Sequence, residues 1–187
     1  EKTVYAQEKY IRRKKQKHQT RVVSLFPCAA NVARAAFAKD PARVAHVRPD
    51  TLARMLQKAC LAEGARAAVC ETCGGLLVAA VAERLGPHGT VHHVQCAARA
   101  STQRPHHAEH FRRPLADIQP LSLAPLLRAA MCDDEDDKSD AATAAEVLPK
   151  CSALLVATKF DPVAVTMALL PRVAGSGAVV VFCSFLR

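Results

Sequence analysis

The chain has 187 residues, half of them apolar, which suffices for one domain with a sizeable core. It carries a formal net charge of +9 at pH 7, a balance that favours a polyanionic partner, nucleic acid first and an anionic membrane surface second. No apolar run reaches the roughly 18 residues that a bilayer-spanning helix needs, and the sequence opens at Glu1 without a signal-peptide pattern, so it reads as an excised domain or a partial chain.

Residues 1–21 form a basic leading segment. Lys2, Lys9, Arg12, Arg13, Lys14, Lys15, Lys17 and Arg21 outnumber Glu1 and Glu8 there, with Tyr5 and Tyr10 interleaved. Helix and extended arm both remain open for it. The run Arg12 to His18 has three readings: contact with RNA phosphate, a localisation signal, or a solvated linker. A folded domain is expected over residues 22–187. Arg21 to Phe26 predicts a strand ending at Pro27, and Ala29 to Lys39 a helix broken before Asp40-Pro41. A second helix is expected with Asp50 at its N-cap, carrying Leu52, Met55, Leu56, Ala59 and Cys60 as one apolar stripe and ending at Glu63-Gly64.

The next stretch is the most informative. Ala67 to Cys70 is a short apolar strand, and Glu71-Thr72-Cys73-Gly74-Gly75 is a turn with two glycines. Leu76 to Leu85 is a helix apolar almost all round, with Gly86 suited to its C-terminal cap. Thr90 to Val94 is a second strand. This β–loop–α–β unit predicts a doubly wound, mostly parallel α/β sheet. From about 97 to 150 the pattern fades into a variable insertion. It contains polar residues with His106, His107 and His110, an apolar stretch broken by Pro120 and Pro125, and the acidic run Asp133 to Asp137, expected in a solvated, partly disordered loop. Order returns with a strand over Ala153 to Ala157, a helix from Pro162 to Leu170 and a strand from Ala178 to Phe182.

Four features bear on chemistry. A glycine turn after the first strand is where nucleotide-binding α/β domains let the backbone approach a ligand. S-adenosylmethionine sites use a related acidic-x-Gly-x-Gly-x-Gly turn. Here Glu71 holds the acidic place but Cys73 stands where the first glycine belongs, and Gln95 and Cys96 replace the acid expected at the end of the second strand. The turn over Glu71, Cys73, Gly74 and Gly75 is therefore read as degenerate, with no cofactor expected. Cys70-x-x-Cys73 has no second pair to complete a zinc site, and no metal is expected. Buried thiols in a reducing compartment explain the eight cysteines better than a disulfide framework. His106 and His110 stand at i, i+4, but their segment lacks helical periodicity and reads as a solvated linker. Asp161, before Pro162, is an acid/base candidate that reads more simply as a helix N-cap.

Longer motifs carry a resemblance. Gln7-Glu8-Lys9-Tyr10-Ile11 with the basic run, His46-Val47-Arg48-Pro49-Asp50-Thr51-Leu52-Ala53-Arg54-Met55-Leu56, Glu71-Thr72-Cys73-Gly74-Gly75-Leu76, and Phe160-x-Pro162 resemble the non-catalytic, RNA-binding subunit of eukaryotic tRNA (adenine-58-N1)-methyltransferases, in its C-terminal methyltransferase-like domain. The likeness covers most of residues 7–95 and returns at 152–183. It implies a Rossmann-like fold, no catalysis, a nuclear location, tRNA binding through Arg12, Arg13, Lys14, Lys15 and Lys17, and no membrane role. It also implies a heterotetramer of two such subunits with two catalytic, S-adenosylmethionine-binding paralogues. Ala157 stands where the catalytic paralogue carries Asp, and has no group to assist proton removal. The family's N-terminal barrel and the strands expected after Phe182 are missing, so the sheet is expected to be truncated at its C-terminal edge. The competing expectations are an active, divergent S-adenosylmethionine-dependent RNA methyltransferase and an inert α/β interaction platform.

Overall fold

A computed structural model describes residues 3–19, 22–95, 105–111, 114–124 and 149–184. The expected acidic loop at 133–137 lies outside the described residues. Five strands make one sheet: β1 (Arg66–Glu71), β2 (Thr90–Gln95), β3 (Asp117–Ser122), β4 (Cys151–Ala157) and β5 (Val173–Val181). Every pairing is parallel, in the order β3-β2-β1-β4-β5. These are the first five places of a doubly wound Rossmann-like sheet. The expected fold class is the one observed.

Parallel strands need crossover helices, and those helices cover both faces. On one face lie α2 (Ala29–Lys39), α3 (Pro49–Lys58) and α4 (Leu76–Leu85). They enclose a core with Val69, Val91 and Leu155 from the sheet, and Val44, Val47, Leu52 and Met55 from the helices and the turn before α3. On the other face α5 (Pro162–Leu169) closes a smaller core over Cys70, Val94, Leu154 and Val156. Because α4 sits at the centre of the larger layer, Leu76 through Ala82 are all buried. Burying each of its leucines is worth about 1.5–3 kcal/mol relative to exposure, which is why this helix reads so clearly in the sequence.

Four expectations need correction. Residues 22–26 form no strand. They lie outside any regular element and are exposed, with Val22 88% accessible, since an apolar run makes a strand only where a sheet edge is offered to it. The cap of α3 is Arg48 followed by Pro49, not Asp50. Asp50 lies in the first turn, 3.1 Å from Arg48 Nε in an exposed ion pair, and the helix stops at Lys58, with Cys60 exposed at φ 47°. β3 was hidden by Pro120, a residue tolerated because β3 is an edge strand of the described sheet, paired only with β2. The last strand begins at Val173 and runs through Gly175 and Gly177, which obscured its first half.

The basic leading segment contains α1 (Val4–His18). Thr3 Oγ1 accepts from the Ala6 N–H at 3.4 Å, and Lys15, Lys17 and His18 stand in the last turn against the negative helix end. No residue of α1 is buried.

Candidate functional site

In a doubly wound sheet, ligands bind outside the carboxyl ends of the strands where the order reverses. Here that point lies between β1 and β4, flanked by the loops at 72–75 and 158–161. Glu71, the last residue of β1, is 7% accessible and points inward. Its carboxylate accepts from the Gly75 N–H and, at 3.3 Å, from the Leu77 N–H. Gly75, in the left-handed region at φ 88°, is the N-cap of α4 and has no side chain to cap it. Glu71 satisfies those free helix donors from four residues back. Burial raises its pKa to about 7, against the opposing pull of the backbone donors at Gly75, Leu77 and Cys73.

The crevice between the two loops is bridged by the chain itself. The Thr72 N–H donates to Ala157 O at 3.0 Å, the Cys73 thiol to the same oxygen at 3.7 Å, and the Lys159 N–H to Thr72 Oγ1 at 3.1 Å. Ala157 is wholly buried in the larger core. Over the turn lies a short 3-10 helix, His106–His110, led in by Pro105. A Cβ on Gly75 would lie 2.3 Å from Pro105 Cβ, and one on Gly74 would lie 3.7 Å from the His107 ring. Gly75 thus makes room for the chain's own segment, while Gly74 would meet it only at ordinary contact distance. At the end of β2, Gln95 presents an amide, 3.5 Å from His93 Nδ1, where a ribose-binding carboxylate would be needed. These residues do not fit S-adenosylmethionine: the turn is covered, its acid is consumed as a helix cap, and no acid stands at Gln95.

The other candidates fall into place around this. Cys70 packs in the core beneath α5, and Cys73 in the one beneath α4, so the Cys-x-x-Cys pair straddles the sheet. Burial, and then the charge of Glu71, pushes the Cys73 thiol well above its ordinary range, which leaves no reactive thiolate. Among the described residues, no group of three or more His, Cys, Asp or Glu is arranged to hold a metal. Asp161 is the N-cap of α5, accepting from the Val163 N–H at 3.0 Å. The histidines do not form a solvated linker. Their rings cluster with centroids 5.1–6.1 Å apart, and the buried Ala108 fastens their helix to α4.

Arg12, Arg13, Lys14, Lys15 and Lys17 all lie on α1, exposed. At roughly 100° per residue, Arg13, Lys14 and Lys17 share one side with Tyr10, while Arg12 and Lys15 fall on the other. Lys14 Nζ sits 5.8 Å from the centre of the Tyr10 ring. The structure gathers three of the five cations with an aromatic residue. Sequence reasoning missed the Pro105–His107 cover, because nothing local to Gly75 announces a residue thirty positions later. It also missed Glu83, whose carboxylate accepts from the Ala29 N–H at 2.8 Å across 54 positions and caps α2.

Among known proteins, the sequence model of the Gcd10p family matches residues 1–151. The tRNA (adenine(58)-N(1))-methyltransferase non-catalytic subunit of Mus musculus is 38% identical over 91 residues, which is 49% of this chain and 18% of the relative. The subunits of the same name from Dictyostelium discoideum and Debaryomyces hansenii are 30% and 29% identical over 90 residues each, 48% of this chain, and 17% and 19% of those relatives. The matched stretch is thus less than a fifth of each curated relative. The family match runs through the basic helix, the core helices, the covered turn and the start of β4, and the chain belongs to the Gcd10p family.

Proposed function

We propose that this chain is the methyltransferase-shaped part of a non-catalytic, tRNA-binding subunit, acting in a tRNA adenine-58 N1-methyltransferase complex beside a catalytic paralogue that binds S-adenosylmethionine. The observation that carries the reading is the covered turn: Glu71 caps α4, Pro105 and His107 lie over Gly75 and Gly74, and Ala157 is walled in behind Thr72 and Cys73. A fold kept with its cofactor crevice closed suits a subunit that supports chemistry done elsewhere. The names of the three relatives, each a non-catalytic subunit of such an enzyme, support the same reading.

In this proposal the complex is a heterotetramer of two non-catalytic and two catalytic subunits, located in the nucleus. Residues 1–21 are a basic arm ahead of the α/β domain, and tRNA phosphates meet Arg12, Arg13, Lys14, Lys15 and Lys17. Each neutralised phosphate releases condensed counterion, so affinity falls with salt at a log–log slope of roughly −0.7 to −0.9 per contact. With about three cations on one side of α1, replacing all five by glutamine lowers the magnitude of that slope by about 2–3. Affinity falls about equally for different tRNAs, since phosphate contacts do not read sequence. The test is tRNA binding by the assembled complex across a salt series, variant beside parent. Equal slopes would remove α1 from the interface, and failure to copurify with a catalytic paralogue would leave only an inert interaction platform.

A further inference from the structure

Beside the covered turn lies a cleft of about 620 Å³, bounded by the segment 22–27, α2, the turn at 41–46 and the histidine helix. Small-ligand sites run from about 300 to 1,000 Å³. Val23, Leu25 and Val32 give it apolar lining, Lys39 and Arg43 a cationic one, and His106, His107 and His110 add imidazole rings. Asp40 is the sole carboxylate among the described lining residues, and its Oδ1 is already held by the N–H groups of Ala42 and Arg43 at 3.0 and 3.3 Å. His107 Nδ1 is buried without a hydrogen-bond partner among the described residues.

We infer that this cleft binds one unpaired nucleotide of RNA, its base against the aliphatic side chains and histidine rings, its phosphate beside Lys39 and Arg43. Unstacked bases are held in this way on aromatic faces, histidine included. A basic peptide is disfavoured by the cationic lining, and a purely apolar ligand leaves that charge unused. In sequence the cleft follows the basic helix closely: Gln19 caps α1, and Val23 lines the cleft. The inference rests on the tRNA-binding reading above and adds to it a site that takes an unpaired residue.

The experiment measures anisotropy of a short fluorescent single-stranded RNA of mixed sequence, and of the blunt duplex made from it, with this chain. Ala35→Trp fills the cleft from an exposed position on α2, and Arg43→Gln with His110→Gln removes polar groups from exposed positions. Each variant is expected to bind the single strand roughly tenfold more weakly, the effect of losing about one stacked base, with duplex binding unchanged. Parent-like single-strand affinity in the variants would overturn the cleft while leaving RNA binding through α1 intact. Equal losses on both RNAs would assign the effect to charge alone and also overturn it. A parent that binds neither RNA would overturn the RNA-binding reading itself. Should Ala35→Trp unfold the chain, the double variant at exposed positions decides the question.

Discussion

The turn after β1 and the helix α1 handle charge in opposite ways. The turn takes one carboxylate, Glu71, out of water and surrounds it with backbone donors. The helix leaves all its cations in solvent and buries nothing. A buried acid held this way becomes part of the framework, because moving it costs the hydrogen bonds around it. Exposed charges cost little to hold and stay available to a partner. The region that looks most like an active centre in the sequence thus serves the framework, and the region with no core at all keeps its charges in solvent.

Changing Glu71 tests the structural half of this contrast with the largest expected effect. Its folded pKa, about 7, lies above the ordinary 4.5. The folded chain therefore holds a proton that the unfolded chain has lost between these values. The stabilisation is complete below pH 4.5 and is lost as pH rises through 7, an effect of about 3 kcal/mol. Glu71→Gln removes it. Urea unfolding of parent and variant from pH 4.5 to 7.5 should show the parent losing this much relative to the variant. Burial lowers the pKa of His92 and His93, which slopes stability the other way, but both proteins share that contribution and it cancels in the difference. Parallel curves would mean that Glu71 is not a buried cap.

Gly75→Ala comes next. It places a side chain in the left-handed region at φ 88° and against Pro105, at about 2 kcal/mol of unfolding free energy. Gly74→Ala meets only ordinary contact with His107 at φ 69° and should cost about 1 kcal/mol. If the two were equal, the segment 105–111 would not be seated on the turn. The smallest effect belongs to α1: replacing Arg12, Arg13, Lys14, Lys15 and Lys17 by glutamine should move stability by less than about 0.5 kcal/mol. A larger loss in urea unfolding would show that the helix is part of the folded framework.

Much of the fold was legible because some segments meet one condition all along their length. α4 is buried nearly all round and is apolar at almost every position, and the strand before it is a continuous apolar run from Ala67 to Cys70. Asp161-Pro162 is a local signal, and it caps α5 as its chemistry requires. What stayed hidden depends on partners distant in sequence. Pro120 breaks a strand unless that strand lies at an edge, and position in a sheet is set by topology. Val22 to Phe26 is apolar like a buried strand but finds no edge. The roles of Glu71 and Glu83 as helix caps, and the placement of Pro105 over Gly75, come from chain crossings that periodicity does not encode. For the candidate site, the departures at Cys73 and Gln95 from a nucleotide-binding pattern were readable one residue at a time, whereas the closure that joins Cys73 to Ala157 was readable only in three dimensions.

The central claim is that this Rossmann-like domain, with its turn covered by Pro105 and His107, does not hold S-adenosylmethionine. Calorimetric titration of the chain with S-adenosylmethionine tests it directly. The account predicts binding no tighter than about millimolar, equivalent to roughly −4 kcal/mol or weaker, and a dissociation constant in the micromolar range would contradict it.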